Sequence, residues 1–175
     1  FSTFFLNTVV VTIIGMVGCV TISLFAAYAF TRIKFKGSNF WFACVMMTMM
    51  IPPQVMVVPQ YIILKKLGLI DTRTALVLPW FFGGAFFIFQ MVQFFRGIPK
   101  ELGEAAKIDG CGRIATLFRV LVPVVKPSIV TCSIFAFYWI WQDFFQPLIF
   151  MNSIEKYTIS LALNMYLDPN SYNNY

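Results

Sequence analysis

The chain has 175 residues, 59% of them hydrophobic and 11% charged, with 21 phenylalanines. That composition excludes an ordinary soluble domain, in which about 25% of residues are charged. The absence of histidine and the lack of CxxC spacing among the four cysteines argue against a metal site, a disulfide framework and histidine acid–base chemistry.

Charges leave uncharged runs at 1–31, 37–64 and 74–95, and a fourth at 127–154 broken only by Asp143. Each is longer than the roughly 20 apolar residues a helix needs to cross the hydrocarbon. The reading is an all-α, polytopic membrane protein with four transmembrane helices in a single domain, 1–175. The net charge of +6 does not call for nucleic acid, because the cations are sorted by topology. Arg32, Lys34, Lys36, Arg96, Lys100, Lys107, Arg113, Arg119 and Lys126 fall on one side; Lys65, Lys66, Arg73 and Lys156 fall on the other. The positive-inside rule puts the first set in the cytoplasm. Both ends of this chain then lie outside, and a start without Met or a charged leader reads as a fragment of a longer protein.

The first span is expected over Asn7–Phe30, with small residues in its second half for close packing. A cytoplasmic turn, Thr31–Gly37, follows. The second span, from Trp41 to about Val58, contains Pro52-Pro53, which removes two backbone donors and kinks the helix. The kink, with Gln54 beside it, serves either a solute pathway or packing alone. The third span, Ala75–Phe95, carries Gly83-Gly84-Ala85 at mid-depth and places Gln90 and Gln93 on one face. Those amides need either a neighbouring helix or a solute.

Ile98–Pro123, the only long charged segment, must lie in water. Pro99 suits a first helical position, and Glu101 and Glu104 suit the positive first turns. Asp109-Gly110 ends that helix, with Gly110 able to adopt the left-handed closing conformation. Leu102, Ala105 and Ala106 present a flat face for another protein. A second amphipathic helix is expected to align Ile114, Leu117, Phe118 and Leu121 on one face.

The fourth span begins after Pro127 and reaches Gln146, before Pro147. Trp139, Asp143 and Gln146 at i, i+4 and i+7, with Gln142 beside them, combine an aromatic face with acceptors and amide donors. This grouping serves either a solute pathway or anchoring at the membrane interface. Asn152–Tyr175 reads as a polar external loop.

Glu104-Ala105-Ala106, three residues, Gly110, nine residues and then Val120-x-Val122-Pro123 resemble the EAA loop of permease subunits of binding-protein-dependent ABC importers. IPKEL and IDG make it similar to the carbohydrate, maltose-type branch. AAYAFTRIKFKG, MIPPQVMVVPQYIILKKLGLIDT and YWIWQDFFQPL are similar to further stretches of that family, the second continuing as a short interfacial helix outside the membrane. Gln142 stands where the family usually has Asn.

The resemblance implies a type I importer permease fold of six spans, one missing here at each end, in the bacterial inner membrane. It makes Glu104, Ala105, Ala106, Asp109, Gly110 and Pro123 the coupling loop for an ABC ATPase dimer. A second permease subunit and a periplasmic solute-binding protein complete the assembly. The chain lacks a GxxxxGK[ST] phosphate loop, so ATP and Mg belong to the ATPase subunits and no cofactor is expected here. The candidate pathway residues are Trp139, Gln142, Asp143, Gln146, Gln90, Gln93 and Gln54. Other classes are a secondary transporter or channel, an ABC permease for a non-sugar solute, and a structural membrane subunit.

Overall fold

The computed structural model describes residues 1–167, all of whose regular structure is helical. Three segments are long and apolar enough to cross a membrane: Ser2–Arg32, Arg73–Arg96 and Arg113–Trp141. A fourth qualifies only when Ser38–Thr48 and Pro53–Lys66 are counted as one broken span. Up to four segments thus match the expected spans by length and composition, and only the first is a plain rod.

That rod, α1 (Ser2–Arg32), has 31 residues and at about 1.5 Å per residue runs about 46 Å, longer than the hydrocarbon core. The second span is broken rather than kinked. Helix α2 (Ser38–Thr48) stops at Thr48, and four residues separate it from Pro53, where α3 (Pro53–Lys66) begins. The cause is the proline pair: Pro52 precedes another proline and is held extended at ψ 133°, while Pro53 starts the new helix where an N–H is dispensable.

The third span is likewise interrupted. A short α4 (Arg73–Val77) passes into a 3-10 turn, Leu78–Phe82, then Gly83 takes a φ of 73° and α5 (Ala85–Arg96) starts afresh. After α6 (Glu101–Ile108), the fourth span starts far earlier than Pro127. The helix α7 (Arg113–Trp141) runs from the charged loop through a π-helical turn, Thr116–Leu121, into the apolar segment. It ends at Trp141, and α8 (Phe145–Phe150) follows a break. The external loop expected from Asn152 instead contains a 3-10 turn, Ile154–Lys156, and α9 (Ile159–Leu167); the rest of that loop lies outside the described residues.

The chain divides into two compact units. The first comprises Phe1–Gly18, Ile51–Phe82 and the described residues from Phe135 on. Its core joins Val11, Val57, Leu76, Ile140 and Phe150. Gly18 permits close approach here, since a Cβ would fall 2.6 Å from the Phe81 ring. Asp71 staples this unit. Although not glycine, it has a φ of 61°, and its carboxylate accepts bonds from the N–H groups of Asn152 and Ser153, from Ser153 Oγ and from Lys156 Nζ at 2.6–2.9 Å. The Lys156 ammonium, then the Ser153 and Asn152 donors, hold its pKa far below the ordinary carboxylate range.

The second unit, Cys19–Met50 and Gly83–Ile134, buries Ala27, Tyr28, Phe87, Met91, Phe95, Leu117 and Leu121. Elsewhere large apolar side chains are exposed, Phe1, Met50, Phe82 and Ile134 among them, and α2 buries nothing. A soluble monomer does not carry such surfaces; hydrocarbon or further protein covers them.

Candidate functional site

The charged loop lies in the second unit. Helix α5 ends at Arg96, Ile98 is buried, and α6 begins at Glu101, two residues beyond the Pro99 start expected from sequence. Glu101 and Glu104 occupy its first turn as the helix dipole favours. At the other end the N–H of Cys111 donates to Ala106 O at 2.9 Å and that of Gly110 to Lys107 O at 3.0 Å. These close the helix around Gly110, whose φ is 81°. No atom stands within 4 Å of where a Gly110 Cβ would be, so the glycine is required by backbone conformation and not by space.

The face of α6 differs from the expected one. Ala106 turns inward, 5% exposed, where α6 packs on the Thr116–Leu121 turn, whereas Leu102, Ala105 and Ile108 point outward. Their i, i+3, i+6 spacing makes an apolar stripe flanked by Glu104 and Lys107, and Ile108 at 86% is among the most exposed apolar side chains. Sequence spacing alone could have found Ile108.

The amphipathic face expected beyond the loop is half realised. Leu117 and Leu121 are buried, but Ile114 and Phe118 are exposed. The π turn widens the helix there, so the buried series becomes Leu117, Leu121 and Val125 at four-residue steps. Pro123 follows directly, not at a chain turn but inside continuous helix. The widened turn ends just where proline cannot continue the i to i−4 ladder. Beside α6 a cavity of about 640 Å³ is lined by Arg32, Lys34, Lys36, Lys100 and Lys107, with Glu104 as its acidic member.

The candidate pathway residues fall in both units. Gln90 and Gln93 lie on α5 of the second; Gln93 is exposed, and Gln90 Oε1 is buried without a hydrogen-bond partner. Gln54 sits exposed in the first turn of α3, in the first unit, as do Trp139, Gln142, Asp143 and Gln146. The helical face expected for Trp139, Asp143 and Gln146 does not form, because α7 ends at Trp141.

Asp143 Oδ1 instead accepts from the N–H groups of Phe145 at 3.1 Å and Gln146 at 3.3 Å, starting α8. Ser160 Oγ closes the break from the other side, donating to the carbonyls of Trp141 and Asp143. Trp139 packs on Phe135, and Gln142 is exposed. Sequence reasoning passed over Tyr28 and Arg32, whose partners lie more than 60 positions away in the chain. Only the i, i+4 spacing of two polar groups at a helix end pointed to them.

Among known proteins, residues 19–172 match the family described as the binding-protein-dependent transport system inner membrane component. The chain is 38% identical over 168 residues to the probable ABC transporter permease protein YurM of Bacillus subtilis (strain 168), covering 95% of this chain and 56% of that one. It is 34% identical over 174 residues to the arabinooligosaccharides transport system permease protein AraQ of Halalkalibacterium halodurans, covering 99% and 61%. The crystal structure of a bacterial ABC transporter involved in the import of the acidic polysaccharide alginate matches with a TM-score of 0.84 at 26% identity, over 95% of this chain and 58% of that one. This chain thus spans 56% to 61% of the length of these relatives. With broken apolar spans, a glycine-closed loop helix and a family match over most of its length, the chain belongs to the binding-protein-dependent transport system inner membrane components, the permease subunits of ABC transporters.

Proposed function

We propose that the chain is the solute-translocating part of an ABC importer permease for a sugar or oligosaccharide, working as one transmembrane domain in the bacterial inner membrane. The observation that carries this reading is α6: a short helix, closed by Gly110 and backed by the Thr116–Leu121 turn, presenting Leu102, Ala105 and Ile108 outward. An apolar stripe exposed on a charged loop supports a surface that another protein covers. Its partner is a cytoplasmic ATPase dimer that holds ATP and Mg; Glu104, Ala105, Ala106, Asp109, Gly110 and Pro123 form or fix the docking element. The nine-to-four distribution of cations supports a cytoplasmic position for this loop.

A second permease subunit and a periplasmic binding protein complete the importer. The relatives named for arabinooligosaccharide and alginate import support a carbohydrate as the solute. Amides and rings suit its hydroxyls and C–H faces, which makes Gln54, Gln90, Gln93, Trp139, Gln142, Asp143 and Gln146 the pathway candidates. The test is uptake into proteoliposomes holding the full permease pair, ATPase and binding protein. Labelled oligosaccharide should enter only with ATP inside the ATPase compartment. Uptake driven by an ion gradient without ATP would overturn the reading in favour of a secondary transporter.

A further inference from the structure

The C-terminal end of α1 binds the backbone on both sides of α6. Arg32, the last residue of the helix, donates from Nη2 to the carbonyls of Phe95 at 3.1 Å and Ile98 at 2.7 Å, and from Nη1 to that of Pro99 at 3.4 Å. These carbonyls close α5 and lead into α6. One turn earlier, Tyr28 Oη donates to the carbonyl of Arg113 at 3.0 Å, the first residue of α7 where the chain leaves the loop. Tyr28 is 8% exposed, and its ring packs on Phe95 with centroids 6.4 Å apart. Residues 28 and 32 are i and i+4, so both reach from one face of α1.

The chemistry suits a mechanical link more than a surface contact. Carbonyls at a helix C-terminus have no intrahelical partner and carry the negative end of the dipole, so a cation is favoured there. The flat guanidinium offers several donors in a rigid fork and can hold three carbonyls in one geometry; an ammonium is a point charge that cannot. Among the described residues Arg32 forms no ion pair, whereas Lys156 pairs with Asp71 at 2.8 Å. Its hydrogen bonds are all to this backbone. Between Pro99 and Arg113 the chain is held by α6 and its packing on the Thr116–Leu121 turn, so the two attachment points bracket the docking helix.

We propose that Arg32 and Tyr28 are positioning residues that tie α1 to the coupling loop, so that a displacement of α6 by the ATPase moves α1 with it. This rests on the reading of α6 as the ATPase-docking helix. Their loss leaves α6 able to bind the ATPase but no longer able to pass its movement to the span.

Two measurements on the complete transporter test this with Arg32→Lys, which keeps the charge and removes the fork, and Tyr28→Phe, which keeps the ring and removes the donor. The first is amide exchange over 98–113, which needs no transport. Each variant should speed exchange by about 5- to 30-fold, the factor that 1–2 kcal/mol of lost bonding represents. The second is solute imported per ATP hydrolysed, which should fall while ATPase co-purification and ATP hydrolysis persist.

Unchanged exchange in both variants overturns the tie itself. Faster exchange with an unchanged transport-to-ATP ratio, or uptake and hydrolysis falling in step with abundance, overturns the positioning role. A parent transporter whose loop neither retains an ATPase nor imports with ATP refutes the proposed function instead, and the coupling role with it, while the exchange measurement still decides the tie.

Discussion

Gly110 offers the sharpest test of how the loop is built. Its φ of 81° lies in the left-handed region, and a Cβ there meets nothing within 4 Å, so substitutions are penalised by backbone conformation alone. A non-glycine residue in that conformation costs about 1–2 kcal/mol, and a β-branched one lies toward the upper end of the roughly 1–3 kcal/mol range for such strain. Asparagine enters the region readily, because its short side chain bonds locally. The expected order of damage is therefore Asn, then Ala, then Val.

At about 1–2 kcal/mol the population of correctly closed α6 drops by a factor of about 5–30, because relaxing Gly110 gives up the bonds from Cys111 N–H to Ala106 O and from Gly110 N–H to Lys107 O. Co-purification of the ATPase and ATP-dependent uptake, both scaled to membrane abundance, should follow that order. If Gly110→Val couples as well as Gly110→Asn at equal abundance, the glycine is not setting the loop. Gly103 is the internal control: it is also unobstructed, but sits within α6, so Gly103→Ala should stabilise the loop helix by about 0.5–1 kcal/mol.

Three further outcomes are expected. Gly18→Ala should lower the thermal midpoint by the equivalent of about 1 kcal/mol by pushing the half-exposed Phe81 ring aside, and Phe81→Leu should restore it; an unchanged midpoint would mean the contact is slack. Asp71 has a folded pKa below its unfolded value of about 3.9, so its stabilisation is complete above that value and fades as pH falls beneath it. Asp71→Asn should flatten the acid side of a midpoint-against-pH curve in detergent and leave its alkaline side parallel to the parent. Asp143→Asn keeps an acceptor for Phe145 and Gln146 and should stay within about 0.5 kcal/mol of the parent, while Asp143→Ala should lose about 1 kcal/mol; equal losses would refute the turn assignment.

The order of spans and loops was legible because hydrocarbon imposes a coarse rule: charges sit outside the apolar core. The closure of α6 at Gly110 was legible because the signal is local. Helix breaks were harder. Gly83-Gly84 and Pro52-Pro53 announced weakness but not whether the helix would bend or stop, which depends on what receives the freed backbone groups. Nothing local marks the end of α7 at Trp141, and a regular periodicity carried past it placed Trp139, Asp143 and Gln146 on a face that does not exist. The π turn escaped notice for the same reason, since a single-period pattern cannot register a shift of phase between Ile114 and Leu121. Asp71 was not singled out, because its left-handed backbone is held by partners more than 80 positions away.

These misses share a cause that also sorts the pathway candidates. Where a helix stops inside a membrane protein, water is not available to satisfy the exposed N–H and C=O groups, and a side chain must do so. Ser160 does this for the carbonyls of Trp141 and Asp143 where α7 ends, and Asp143 does it for the N–H groups that start α8. A polar residue in an apolar stretch is thus first a candidate for backbone repair, and Asp143 already has that task through one carboxylate oxygen. The glutamine amides have no such task. Gln54, Gln93 and Gln142 are exposed, and Gln90 Oε1 is buried without a partner. A buried amide oxygen left without a donor costs about 1–3 kcal/mol, which a hydroxyl or a neighbouring helix would recover. The weight of the pathway hypothesis therefore moves from the acid to the amides, with Gln90 as the position where an incoming donor gains most.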